Sequence, residues 1–171
     1  LVARSADVHE HNAMFDLEPG HSATAPRVRR IKNPDLWDPV YASMPHHPGI
    51  LACLQQLWGG RGVRYDISKL NMKSAGFGSP VEWHQDWAFY PHTNDDLAAV
   101  GIMIDDFTPE NGSMQVIPGS HKGPIYNHHA KGHFVGGIDP SKSNIDFSKA
   151  VMCTGKAGSI PVTVQAAHDG A

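Results

Sequence analysis

Val81-Glu82-Trp83-His84-Gln85-Asp86-Trp87-Ala88-Phe89-Tyr90-Pro91 has the aromatic, alternating texture of a β-strand. Residues i and i+2 of a strand project to one face, so the His84 imidazole and the Asp86 carboxylate are expected side by side in one cavity. An imidazole and a carboxylate on one face are two of the three ligands of a two-His, one-carboxylate iron centre, which keeps its opposite positions open. The second imidazole must arrive from elsewhere. His168 is the best candidate, because it follows a Gly-rich turn and the short apolar run Gly158-Ser-Ile-Pro-Val-Thr-Val164.

Outward from this stretch, everything after Gly62 consists of short β-like segments separated by Gly, Pro and Asn, the pattern of an all-β sandwich or barrel. Strands are predicted near 63–73, 81–88, 97–105, 113–118 and 159–165. Glu110-Asn111-Gly112 is a turn signal joining Met103–Asp106 to Met114–Ile117. Residues 119–150 carry no core pattern and are expected to form a long loop of the kind used as a lid or binding loop. On the N-terminal side, 27–62 reads as a strand followed by two helices. Pro34 suits a first helical position, and Leu36, Trp37, Val40 and Tyr41, then Ile50, Leu51, Leu54, Leu57 and Trp58, recur at helical spacing. Gly59-Gly60 should stop the second helix. The pair is expected to pack as a layer on a sheet, with Trp37 and Trp58 in its core, and residues 1–26 to be peripheral.

The chain has 171 residues, of which 40% are hydrophobic and 18% charged, enough for one domain with a sizeable core. A net charge of −3 gives no basic surface, so nucleic-acid binding and polybasic membrane attachment have no electrostatic support. Cys53 and Cys153 are too few for a disulfide framework and fit a reducing cytoplasm. No apolar run approaches the roughly 20 residues needed to span a bilayer, and no basic-then-apolar leader opens the chain, so a soluble, cytoplasmic protein is expected. The chain begins at Leu1 and ends three residues after His168, and it is expected to be incomplete at both ends.

With His84-Gln85-Asp86, the downstream run Pro109-Glu-Asn-Gly-Ser-Met-Gln-Val-Ile-Pro-Gly-Ser-His-Lys-Gly123 and a late His, residues 27–171 resemble the phytanoyl-CoA dioxygenase family. The Asn-Gly-Ser and Pro-Gly-Ser-His segment is far more specific than a bare His-x-Asp. The resemblance implies a mainly β fold, a double-stranded β-helix of the jelly-roll or cupin type with a small flanking helical layer. It also implies Fe(II) as cofactor, 2-oxoglutarate as cosubstrate, and dioxygen and a small molecule or acyl thioester as reaction partners. Carried over by position, His84, Asp86 and His168 are the metal ligands. Lys69 and Arg30 align with positions that touch 2-oxoglutarate, and Ile102 falls where some relatives place a Trp beside it. One departure stands out: family members follow the distal His with Gly-Ser and, about ten residues on, an Arg, whereas Asp169-Gly170-Ala171 follows His168 here.

Asp86 favours hydroxylation, since related halogenases lack this carboxylate so that chloride can bind. Trp83, Trp87, Phe89 and Tyr90 are expected to wall the site, and Gln85, facing the other way, to hydrogen-bond within the scaffold. Among the 12 His residues, His121 is expected to be structural, and His46, His47, His128, His129 and His133 to be solvated loop residues. Three function classes remain open on the sequence. They are a 2-oxoglutarate-dependent hydroxylase, an inactive jelly-roll binding module, and a cupin-type isomerase or hydrolase with another metal.

Overall fold

The computed structural model describes residues 1–93 and 96–165. Contacts divide the chain into two compact units, 1–80 and 81–171. Among the described residues no helix is long and apolar enough to cross a membrane, and Cys53 and Cys153 are free thiols.

The first unit is built on a three-stranded antiparallel sheet, β1 (Phe15–Leu17), β2 (Val28–Lys32) and β3 (Lys69–Asn71), in the order β1-β2-β3. Val28 and Ile31 are three apart and would face opposite ways in a regular strand; both reach the core because the register shifts from Asp16↔Arg30 to Leu17↔Val28, a bulge that leaves Arg29 of β2 without a partner on β1. Met14, Phe15, Leu17, Val28 and Ile31 form one buried cluster, against which Leu1, Val2, Val8, Leu70 and Met72 pack. The expectation that 1–26 is peripheral is therefore wrong. This segment supplies three of the five buried core residues, and His21 ties it down by donating from Nε2 to the Ser5 carbonyl at 2.9 Å while Nδ1 accepts the Arg27 N–H.

Two helices follow, α1 (Pro39–Ser43) and α2 (Pro48–Leu57). Asp38 caps the first by accepting the Val40 N–H at 2.9 Å, and His47 caps the second by accepting the Gly49 N–H at 3.2 Å. Gly59 and Gly60, both at positive φ, end α2 as expected. The second helix lies where the spacing puts it, whereas the first is broken into a 3-10 turn, Pro34–Leu36, and the short α1 that begins at Pro39, and neither forms a buried layer. Leu36 and Val40 are 71% and 61% exposed, and Ile50 is the buried residue of α2. Trp37 is likewise no core residue; its indole N–H donates to the Lys32 carbonyl at 3.0 Å.

The second unit is a nested antiparallel arm. Strand β4 (Leu97–Val100) pairs with β9 (Val162–Gln165), β5 (Gln115–Val116) with β8 (Val151–Met152), and β6 (His129–Ala130) with β7 (His133–Phe134). Between the first two pairs the arm continues through Met103 N–H to Ser159 O and a reciprocal bridge of Phe107 with Gly155. The turn at Glu110-Asn111-Gly112 is present as a short 3-10 helix, Pro109–Asn111, closed by a Thr108/Asn111 capping box and by Gly112 at φ 80°. It does not join two strands that pair with each other; each of its flanks pairs with the returning chain instead. The described residues thus form four small sheets with helices, a mixed architecture in place of the expected mainly β one. The predicted strand at 81–88 is also absent: the chain there is irregular and ends in the 3-10 helix Asp86–Ala88.

Candidate metal centre

Gln85 decides the local geometry. Its backbone is extended (φ −115°, ψ 128°), and Asp86 then opens the 3-10 helix. One extended residue suffices to turn its two neighbours to the same side, so His84 Nε2 lies 3.3 Å from Asp86 Oδ1, both side chains being largely shielded from solvent. The side-by-side arrangement expected from strand alternation is present without the strand.

The His84 ring orientation is set by its other nitrogen, Nδ1, 2.7 Å from the Glu82 carbonyl oxygen. A carbonyl only accepts, so Nδ1 carries the proton, and in the neutral ring Nε2 presents its lone pair toward an anionic oxygen. In that neutral form two acceptors face each other, and a shared cation, a proton or a metal ion, satisfies the pair. Ligand bonds of about 2.1 Å place adjacent donors of a metal about 3 Å apart, close to the observed 3.3 Å. A histidine tautomer pinned by a backbone carbonyl is the usual support of a metal-binding imidazole. The pair fits a divalent metal.

The proposed third ligand, His168, lies outside the described residues; β9 ends three residues before it, at Gln165. Among the described residues no group of three His, Cys, Asp or Glu gathers as a metal site. His128, expected to be a solvated loop histidine, is instead 2% exposed. Its Nε2 accepts the Gln85 N–H at 2.9 Å and its Nδ1 donates to the Tyr126 carbonyl at 2.8 Å, so neither nitrogen has a lone pair to give. Burial holds its pKa below the ordinary 6.5 against the opposing Tyr126 bond, and nearby His84 and His129 lower it further. Nothing in hydrophobic periodicity signals such a residue; a histidine pair in a long loop was its only mark.

The Gln85 side chain bonds within the scaffold as expected, donating to Pro124 O at 3.0 Å and accepting from the Tyr126 N–H at 2.8 Å. The Ile138 N–H donates to Trp83 O at 2.8 Å, and the Trp83 and Phe147 rings meet at 5.3 Å. The 119–150 segment is thus bonded onto the His84-Gln85-Asp86 stretch. Phe89 presents an aromatic contact to His84 at 5.5 Å and another to Phe134 at 5.0 Å. Trp87, Ala88, Pro91, Ile125, Tyr126 and Phe134 line a mainly apolar cavity of about 300 Å³. His121 sits exposed on the 3-10 turn Ser120–Lys122.

Arg30 and Lys69 belong to the first unit. The register Arg30↔Asn71, Lys32↔Lys69 places them on one face of the β2-β3 pair, opposite the face that sends Ile31 into the core. Arg30 donates to Asn71 Oδ1 at 2.9 Å and lies 3.7 Å from Asp16, which also holds Lys32 at 3.0 Å. Ile102, in the second unit, is half-buried between two residues whose amides bond the returning chain ahead of β9, Gly101 to Pro161 O and Met103 to Ser159 O.

Residues 6–162 match the family model described as phytanoyl-CoA dioxygenase. The chain is similar to a probable alpha-ketoglutarate-dependent hypophosphite dioxygenase of Stutzerimonas stutzeri, 37% identical over 159 residues that cover 90% of this chain and 54% of that protein. It is similar to an L-proline trans-4-hydroxylase of Streptomyces griseoviridis, 38% identical over 64% of this chain and 40% of the relative. An ectoine dioxygenase of Bordetella parapertussis is 26% identical over 61% of this chain and 34% of its own length. The chain spans about half the length, or less, of these curated relatives.

Proposed function

The chain belongs to the phytanoyl-CoA dioxygenase family, and from that premise we propose that it carries the metal-binding part of an Fe(II)- and 2-oxoglutarate-dependent dioxygenase that hydroxylates a small molecule or an acyl thioester. The observation that carries this reading is the His84–Asp86 pair at 3.3 Å, with the His84 proton committed to the Glu82 carbonyl. Relatives named for hypophosphite, L-proline and ectoine support oxygenase chemistry on small substrates. Iron with 2-oxoglutarate and dioxygen supplies the oxidising power for C–H hydroxylation, chemistry that is the cofactor's own.

The chain's residues supply the rest. His84 and Asp86 bind the metal together with His168. Arg30 and Lys69, which share one face of the β2-β3 pair, and Ile102 are carried over by family position as the contacts for 2-oxoglutarate. Trp87, Ile125 and Phe134 exclude water from a cavity whose size, about 300 Å³, suits a small substrate. The nested pairs β4·β9, β5·β8 and β6·β7 follow the order of a long hairpin folded on itself, and we read them as part of a double-stranded β-helix.

The test is an anaerobic titration with Fe(II) and 2-oxoglutarate, following the visible metal-to-ligand charge-transfer band. The band is expected with both additions and is expected to vanish in Asp86→Ala. Metal binding without a band in the unmodified protein would refute the oxygenase reading and favour a binding module.

A further inference from the structure

Gln85 joins the two metal-binding residues, and its extended backbone has no ladder to hold it, because the 81–88 stretch is not a strand. Three hydrogen bonds replace the ladder, and all come from one distant segment. His128 Nε2 accepts the Gln85 N–H at 2.9 Å, the Gln85 amide nitrogen donates to Pro124 O, and its amide oxygen accepts the Tyr126 N–H. We propose that His128 is a positioning residue for the metal centre, standing in for the missing neighbouring strand and fixing the peptide that sets the His84–Asp86 separation. This rests on the reading of His84 and Asp86 as ligands.

The geometry gives the imidazole that role. The Gln85 nitrogen belongs to the peptide linking His84 to Gln85, whose plane is set by the two torsions that aim the His84 and Asp86 side chains. Releasing its N–H frees both torsions at once. His128 can hold that plane because it is itself held: Nδ1 donates to the Tyr126 carbonyl, and the ring is 98% buried, beside the edge of Phe89. Both ring nitrogens being committed, His128 acts through Gln85 and does not reach the metal. Residues supporting ligands in this way typically change metal affinity about 10- to 100-fold when removed.

The experiment uses the full chain with His128→Ala and His128→Gln. Fe(II) affinity is measured by anaerobic titration, and hydrogen exchange at the Gln85 amide is measured without metal. His128→Ala should bind Fe(II) about 10- to 100-fold more weakly and exchange the Gln85 amide faster, and His128→Gln, whose amide oxygen can accept the same N–H, should recover most of both. Unchanged affinity or unchanged exchange in a folded His128→Ala overturns the proposal. Should the Ala variant fail to fold, the Gln variant decides: lost affinity despite a protected Gln85 amide overturns it, and retention of both supports it. Wild-type Fe(II) binding that Asp86→Ala leaves intact would overturn the ligand reading instead, a result that the amide-exchange arm distinguishes from failure of the His128 role.

Discussion

Glu18 is a buried carboxylate, 6% exposed, and its partners make a sharp stability test. Its Oε1 accepts the Ser79 N–H at 2.9 Å and its Oε2 accepts the Ser79 hydroxyl at 2.6 Å. Both bonds, chiefly the hydroxyl one, hold the Glu18 pKa below its ordinary value of 4.5 against the effect of burial, with Arg29 adding a smaller attraction. Arg29 itself donates to the Pro80 carbonyl at 3.3 Å, so the acid and the base together anchor residues 79–80, four positions before His84. Hydrogen bonds to a charged group contribute about 1.5–3 kcal/mol each. Glu18 also borders a polar cavity of about 450 Å³ into which water can follow a truncated side chain. Glu18→Ala should therefore cost about 2–3 kcal/mol rather than the full sum of two charged bonds. Because the folded carboxyl titrates below 4.5, its contribution is complete above that pH and is lost as pH falls through the lowered folded value. Urea unfolding at pH 7 and at steps down through pH 4 measures both effects. Glu18→Gln, which cannot ionise, should lose this part of the acid dependence. A Glu18→Ala variant within 0.5 kcal/mol of wild type, about the scatter of a neutral surface change, would refute the anchoring role. So would a Glu18→Gln profile parallel to wild type through the acid range.

Two further substitutions test the turn that carries the family-like Asn-Gly-Ser sequence. Gly112 sits at φ 80°, where a side chain costs about 1–2 kcal/mol, so Gly112→Ala should lower the urea midpoint correspondingly; an unchanged midpoint would mean the turn is not left-handed there. The buried Ser113 hydroxyl has no hydrogen-bond partner among the described residues. Ser113→Ala should leave stability unchanged or raise it by up to about 1 kcal/mol, and a loss of more than that in the same assay would show that the hydroxyl is bonded.

The parts of the molecule that were legible in the sequence are those fixed by a single residue's chemistry. Gly59-Gly60 stops α2 and Gly112 makes its turn because each needs φ above zero, and His84-x-Asp86 needs just one extended residue between. Burial was less legible than element type. Helical spacing located α2 and only part of the first helix, and the spacing of Leu36 and Val40 cannot say whether anything covers them; both are exposed. A three-residue strand such as β1 is too short to show a period, which is why Met14, Phe15 and Leu17 read as peripheral and are core. The burial of His128 in the 119–150 segment was illegible for a different reason: the segment is held by polar bonds of Gln85 and His128, and a hydrophobic pattern carries no trace of such bonds. The same bonds change what a loop experiment can mean. Tyr126, His128 and Phe134 line the apolar cavity, while Tyr126 and His128 also grip Gln85 between the two proposed ligands. Exchanging this segment should therefore disturb metal binding along with substrate preference. A chimera that switched substrate while keeping wild-type Fe(II) affinity would show that the grip on Gln85 is dispensable.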